Sequence, residues 1–321
     1  TSIGQMVLQG WANEDQKKRY LPKTTIGKSI MAFALTEPQA GSDPSSMNSQ
    51  FEDKGEYYLL SGKKHWIGNG TIADIATTFA KDKTTGKISA FIVDMNSCGI
   101  RKKEMKNKMG LLTIKNAEIC FEGCRIPKQN LLGELGQGLN VAYSALIDGR
   151  LSVAAGCIGV MNDCLNETLN HAKLRKQHGS LLAKKQLIQQ HISRIIVGKE
   201  SVKWLTYKAA CARQKLHDYV EQFKLQEERW QTKLNRHNTD YSKLRKEADG
   251  LAAIAKFHAT NTAFDCANRS VQVFGSFGYQ KTTRVAKHFL DSRATMIYEG
   301  ANEVLELKIA SEVLGDDYKA Y

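Results

Sequence analysis

The chain has 321 residues, 42% of them hydrophobic and 25% charged, with 46 Lys plus Arg against 33 Asp plus Glu for a formal charge of +13. That length suggests about two domains with a sizeable core. The fractions, with only four prolines, exclude disordered, Pro-rich and collagen-like chains. No run approaches the roughly 18 uninterrupted apolar residues of a membrane span, the longest soft one being Ser152 to Met161, so a soluble protein without a span is expected. The seven cysteines are odd in number and form no C-x-x-C pair, which reads as packed, reduced thiols of an intracellular protein. The positive balance suits a polyanionic partner: nucleic acid, a phosphorylated cofactor or an acidic carrier protein.

In chain order, the opening residues TSIGQMVLQGWANEDQKKRY show neither a signal-peptide nor a transit-peptide pattern, and residues 1–29 read as a short helical start. From Ile30 to Pro127 the sequence is strand-like: MAFALTEP, YYLLSGKKHWIGNG, ADIATTFAK, KISAFIVD, GIRKKEM and NAEICFEGCRIP are β-rich runs separated by turn residues such as Asp53-Lys54-Gly55. This predicts a compact antiparallel barrel or sandwich over 30–135. After Gly138 the period changes. Val141 to Lys173, Leu182 to Ala212 and Ala252 to Phe274 carry apolar residues at helical spacing, so 136–321 is expected to be a helical bundle.

A charged segment at about 215–246 looks inserted. It holds eight Lys/Arg and five Asp/Glu, yet Tyr219, Phe223, Trp230, Leu234, Tyr241 and Leu244 recur as an a/d stripe does. It reads as helical, one long helix or a hairpin broken at Asn235 to Asp240, either packing on its own bundle or reaching for a partner.

Three places carry candidate chemistry. Leu35-Thr36-Glu37-Pro38, followed by Ala40-Gly41-Ser42-Asp43, offers N–H and O–H donors to an anionic or heteroaromatic ligand, although an ordinary tight turn has the same composition. Lys64 to Gly70 is a strand with an aromatic that ends in glycines; Trp66 is either core or flanks a ring, with Gly68 and Gly70 admitting close backbone approach. In Met296-Ile297-Tyr298-Glu299-Gly300 a carboxylate has apolar flanks. A lone Glu is ordinarily a solvated surface residue, but an apolar setting raises its pKa toward the range useful for proton abstraction. Other classes fall away: Gly133 to Gly138 is G-x-x-G-x-G rather than a dinucleotide fingerprint, and there is no Walker A, G-x-S-x-G or H-E-x-x-H sequence and no metal-ligand spacing among the eight histidines.

Taken in order, ALTEPQAGSD, KHWIGNG, GRLSVAAG, HAKLRKQHG, SVQVFGSFGY and MIYEGANEV resemble the acyl-CoA dehydrogenase flavoprotein family over essentially the whole chain outside 215–246. The resemblance implies an α+β fold in which a remnant of an N-terminal helical domain (1–29, its last helices at Thr1 to Leu21) precedes a middle antiparallel β-barrel or sandwich domain (30–135) and a C-terminal helical bundle (136–321). It implies FAD-dependent α,β-dehydrogenation of an acyl thioester, with Glu299 as general base and hydride transfer to flavin N5. Phe33, Leu35, Thr36, Gly41 and Ser42 would form the loop along the flavin, and Trp66, Ile67 and Gly68 would lie against its ring. Arg175, Gln177, Gln272 and Gly275 would reach the adenosine diphosphate of a neighbouring subunit's FAD, with Ala301 and Glu303 also on the cofactor. Ser42, Asp148, Arg150 and Gly300 would touch the substrate.

The same resemblance implies an acyl-CoA or acyl carrier protein thioester as substrate and an electron-transfer flavoprotein, or oxygen in an oxidase, as electron acceptor. It implies a homodimer or homotetramer in the cytoplasm or mitochondrial matrix, with nucleic acid not expected as a partner. A flavin- or nucleic-acid-binding protein without turnover is the alternative from another class. Three positions depart from the family pattern: Gly68 stands where Thr or Ser is usual, a glycine that also occurs in acyl-CoA oxidase relatives, Ala301 replaces Thr, and Ser276 replaces Gly.

Overall fold

The computed structural model describes residues 2–226 and 238–318. Its contacts divide the chain into two units, Thr1–Lys108 with Leu112–Leu146, and Met109–Leu111 with Ile147–Tyr321.

In the first unit, helices α1 (Ser2–Trp11) and α2 (Glu14–Thr25) precede strands β1 (Met31–Ala34), β2 (Gln50–Asp53), β3 (Tyr57–Ile67), β4 (Ile75–Asp82), β5 (Ile88–Asp94), β6 (Ile100–Glu104), β7 (Ala117–Pro127) and β8 (Leu131–Leu132), and α3 (Gly138–Ser144) follows. Asn13 caps α2 in a reciprocal box with Gln16, whose side chain also donates to the carbonyls of Gln129 and Leu131 and so ties the helix to the sheet.

The sheet runs β6-β7-β3-β2-β4-β5-β8, with β1 on β4. It is mixed. The hairpin-like pairs are antiparallel, as expected, whereas β1 and β2 each pair with β4 in parallel. Alternation of side chains fixes which face a residue takes but not strand direction, and both parallel pairs join strands distant in sequence.

β5 shows why KISAFIVD, apart from its two ends and Ser89, is apolar. Ile88, Ala90 and Ile92 point into a core shared with Val7, Leu8 and Val141, and Phe91 and Val93 into one with Phe51, Tyr58 and Phe121. A strand buried on both faces loses the polar half of its pattern. Gly62, inside β3 at a register shift against β7, has φ 148°, and a Cβ there would run into Ser49 just ahead of β2, so the strand admits no side chain at that point.

The other fixed point of this unit is a buried ion pair. Lys64 on β3 is fully enclosed, and its Nζ donates to Glu37 Oε1 at 2.7 Å and to the Leu35 carbonyl at 3.2 Å. Glu37 also accepts from the N–H of Asn48 (2.6 Å) and Ser49 (3.0 Å) and from Gln39 Nε2. Burial alone would raise the Glu37 carboxyl; Lys64 and these donors outweigh it and hold the carboxyl well below the usual carboxylate range.

The second unit holds α4 (Leu146–Leu174), α5 (Gln186–Gln226), α6 (Thr239–Phe274), α7 (Arg284–Thr295) and α8 (Asn302–Leu314). Ala154, Cys157 and Met161 of α4 meet Ile195 and Val202 of α5 and Ala255, Ala259 and Ala263 of α6. Among the described residues, the run 138–174 is long and apolar enough by length and composition to cross a membrane, although part of it forms this core. Cys124, Cys157, Cys164 and Cys266 are buried free thiols; Cys98 and Cys211 are exposed. Of the charged segment, Tyr241 and Leu244 pack with Ile147, Ala212 and Leu216, and Asn238 caps α6 while accepting from the Tyr219 hydroxyl. Trp230, Leu234 and the start of the expected break, at Asn235 to His237, lie outside the described residues.

Lys64→Met leaves the buried Glu37 carboxylate without its counterion. Its unfolding free energy should fall by about 3–5 kcal/mol, as read by chemical denaturation. A loss within measurement error would show that the 35–49 loop does not depend on the pair.

Candidate active site

Between α7 and α8 the chain makes a turn that few side chains tolerate. Ile297 and Tyr298 donate their N–H groups to the Ala294 carbonyl, and Asn302 N–H closes the loop onto Met296 O at 3.0 Å. Within it Glu299 has φ 57° and Gly300 φ 91°. A left-handed glycine costs little, but a left-handed Glu carries strain that its surroundings must sustain.

Those surroundings hold the carboxyl. It rests on Gly149 in the first turns of α4, where an added Cβ would stand 2.4 Å from Glu299 Oε2 and 2.7 Å from Cδ. The residue as a whole is half-buried, yet Oε2 is covered and has no hydrogen-bond partner among the described residues. Burial pushes the carboxyl up to about 7, against the opposing pull of Arg150 and Lys256.

The two cations are held differently. Arg150, nearly buried on α4, donates from Nη1 to Asp249 Oδ1 at 2.5 Å and more weakly from Nε to the Glu299 carbonyl at 3.4 Å; Asp249 is shared with Lys308 at 2.9 Å. Lys256 on α6 is fully buried and donates to Gly300 O at 2.8 Å and Asn302 Oδ1 at 2.9 Å. Asn302 Nδ2 in turn donates to Thr260 Oγ1. Chemically, a carboxylate with a free covered oxygen and a pKa near neutrality is suited to taking a proton from carbon.

The other candidates distribute as follows. Asp148 pairs side-on with Arg213, at 2.6 and 2.9 Å, and Arg150 belongs to the Glu299 cluster. Arg175 and Gln177 are exposed on a tight hairpin after α4, where Lys176–Gln177 pairs with Ser180–Leu181 around left-handed His178 and Gly179. Gln272 is exposed at the end of α6, and Gly275, φ 64°, ends that helix. Ala301 is the N-cap of α8 and makes no side-chain cap bond; Glu303 is exposed in the first turn.

In the first unit, the Phe33 ring packs edge-on against Phe79, and Thr36 O accepts from His65 N–H at 2.8 Å, which sets the 35–42 loop beside β3. Leu35 is half-buried, whereas Gly41 and Ser42 are exposed. Trp66 has φ 59° and a side chain 53% exposed, Ile67 is core, and Gly68 has open space where a Cβ would be. Ile67 is 2% exposed, and its carbonyl already accepts from the Gly70 N–H.

Gly149, Asp249, Lys256, Thr260 and Asn302 were not foreseen as site residues. For Lys256 a signal existed: it occupies the helical register of Ala252, Ala259 and Ala263, a stripe otherwise of alanines.

The raised Glu299 pKa has a stability consequence. Because the folded state favours the protonated form, this contribution is complete below the unfolded value of about 4.5 and is lost as pH rises through about 7. Glu299→Gln escapes that loss and should gain roughly 2–3 kcal/mol over the parent between about pH 4 and pH 8. Parallel stability–pH curves for the two proteins would refute the assignment.

Comparison with known proteins agrees with this architecture. The family described as acyl-CoA dehydrogenase, middle domain, matches residues 32–124, and acyl-CoA dehydrogenase, C-terminal domain, matches 136–232 and 228–314. The caffeyl-CoA reductase-Etf complex subunit CarC of Acetobacterium woodii is 35% identical over 97% of this chain and 75% of its own length. An acyl-CoA dehydrogenase of Bacillus subtilis is 34% identical over 98% of this chain and 76% of its own. The solved butyryl-CoA dehydrogenase of Megasphaera elsdenii superposes with a TM-score of 0.84 at 32% identity, over 96% of this chain and 74% of that one. With both domain matches in register and relatives aligned over nearly its full length, the chain belongs to the acyl-CoA dehydrogenase family of oxidoreductases.

Proposed function

We propose that the protein oxidises the α,β-bond of an acyl thioester, with Glu299 as the general base. The observation that carries this is the covered, partnerless Oε2 of a carboxyl raised to about 7. Glu299 takes the proton from the α-carbon, and its backbone N–H polarises the thioester carbonyl so that the developing enolate is stabilised.

The cofactor is FAD, and the residues present fit it. The indole of Trp66 is half-exposed at the end of β3, the neighbouring Gly68 is open to close approach, and the 35–42 loop is pinned by Glu37 and Lys64. When bound, FAD supplies the acceptor for the β-hydride. Phe33 to Ser42 and Trp66 to Gly68 would hold its ring system. Arg175, Gln177, Gln272 and Gly275 would hold the adenosine diphosphate of a second subunit's cofactor in a homodimer or homotetramer. Arg175 and Gln177 sit on a constrained hairpin, which fixes donors without help from the bundle interior.

The substrate class is an acyl-CoA, as the names of the relatives state for themselves, with a carrier-protein thioester as the variant. For the acceptor we propose an electron-transfer flavoprotein: the relative CarC is named as a subunit of an Etf complex. A second reading, oxygen as acceptor, is favoured by the open space at Gly68 and by likeness to a solved prolyl acyl carrier protein oxidase, TM-score 0.83 at 28% identity over 97% of this chain and 75% of that one.

Anaerobic rapid mixing of the FAD-loaded protein with a panel of acyl-CoAs tests the reaction. Flavin reduction in Glu299→Gln should be slower by about 10²- to 10⁴-fold with binding retained; reduction at the parent rate places the base elsewhere. Since the base acts when ionised, kcat/KM for reduction should rise with pH through about 7 and then level. Admitting air to the reduced, product-bound protein separates the acceptors. Slow re-oxidation supports the electron-transfer flavoprotein, and peroxide release within a turnover supports the oxidase.

A further inference from the structure

We infer that Lys256 is a positioning residue for Glu299: its buried ammonium pins the left-handed Glu299–Gly300 turn through Gly300 O and Asn302 Oδ1 and supplies the countercharge for the carboxylate. This rests on the reading of Glu299 as the base.

A fully buried lysine is costly unless something in its surroundings needs the charge, and a methionine would fill the alanine-lined register on α6 without that cost. Among the described residues Lys256 has no hydrogen-bonded carboxylate. Its acceptors are a backbone carbonyl and an amide oxygen, both belonging to the turn that carries Glu299. Asn302 is held in turn by Thr260, so the ammonium, the amide and a hydroxyl one turn along α6 form a closed set that fixes where α8 begins.

The charges around Glu299 come from each packed element. Arg150 of α4 and Lys256 of α6 act on Glu299 itself, with Asp249 of α6 on Arg150, Glu303 of α8 on Lys256 and Asp291 of α7 on Tyr298; the Cys157 thiol and Tyr298 hydroxyl beside them are pushed up and neutral. Arg150 pulls on Glu299 more strongly than Lys256 does, but its guanidinium is already paired with Asp249, which also meets Lys308. Lys256 is thus the cation in this group not committed to another carboxylate by a hydrogen bond. Burial and Arg150 pull it down to about 8, above the value of about 7 for Glu299, so the ammonium is in place as the carboxyl begins to ionise.

The test uses the FAD-loaded protein with Lys256→Met, which removes charge and both bonds, and Asn302→Asp, which keeps the geometry and places a carboxylate on the ammonium. Two quantities are read: the pH of half-maximal flavin reduction, and the ionisation of the Glu299 carboxyl by infrared difference against Glu299→Gln. Both variants should move both midpoints upward by about one pH unit, since a nearby opposite charge is worth that or more. Lys256→Met, which also loses both bonds to the turn, should lose more rate on the high-pH plateau than Asn302→Asp. A folded variant of either kind whose midpoints match the parent's overturns the role of Lys256. If Glu299→Gln reduces flavin normally, the base assignment fails, while the infrared titration still reports whether Lys256 governs this carboxyl.

Discussion

A carboxylate kept dry and without a donor is the constraint around which the helical unit is arranged. To be basic near neutrality Glu299 has to lose water, and to remain useful it has to be able to ionise. Gly149 answers the first need by letting Oε2 lie against the backbone of α4. The cations Arg150 and Lys256 answer the second without donating to Oε2. The turn geometry follows from both, because a carboxyl presented between α4 and α6 must leave the chain at a backbone angle that carries it there.

The sheet unit makes the opposite use of the same residue type. Glu37 is as enclosed as any carboxylate among the described residues, but it receives an ammonium, two backbone N–H groups and a side-chain amide. Its charge is therefore locked on, and its work is to close the loop between β1 and β2. Glu299 has a free oxygen and Glu37 has none to spare. The count of donors, more than depth, separates a structural carboxylate from a reactive one.

Much of this was legible in the sequence, for identifiable reasons. β5 and the apolar stripes of α4 and α6 announce themselves by period, and the apolar flanks of Glu299 mark it as unusual from the sequence alone. Strand direction was not legible: β1 and β2 lie parallel to β4 through contacts that alternation does not encode. The partners of Glu299 were hidden because Gly149 and Lys256 are remote in sequence and one of them is a glycine, whose importance is the side chain it lacks. Asp148 and Arg150 were foreseen near a substrate; in the fold Asp148 is tied to Arg213, and Arg150 joins Asp249 and the Glu299 backbone. Spacing along one helix could place them on α4 but could not name their partners on α5 and α6.

The left-handed backbone at Glu299 gives this position a direction of genetic drift. A residue with a Cβ at φ 57° costs on the order of 1–2 kcal/mol relative to glycine, and one transition in the second base of either Glu codon produces glycine. Such a replacement would relieve the backbone and remove a buried, unsatisfied oxygen in one step, so stability alone would favour it. In a duplicated gene freed from the demand for turnover, glycine is the residue toward which this site should slide. A paralogue with an intact turn and glycine at this position would then record a base given up while the fold was kept.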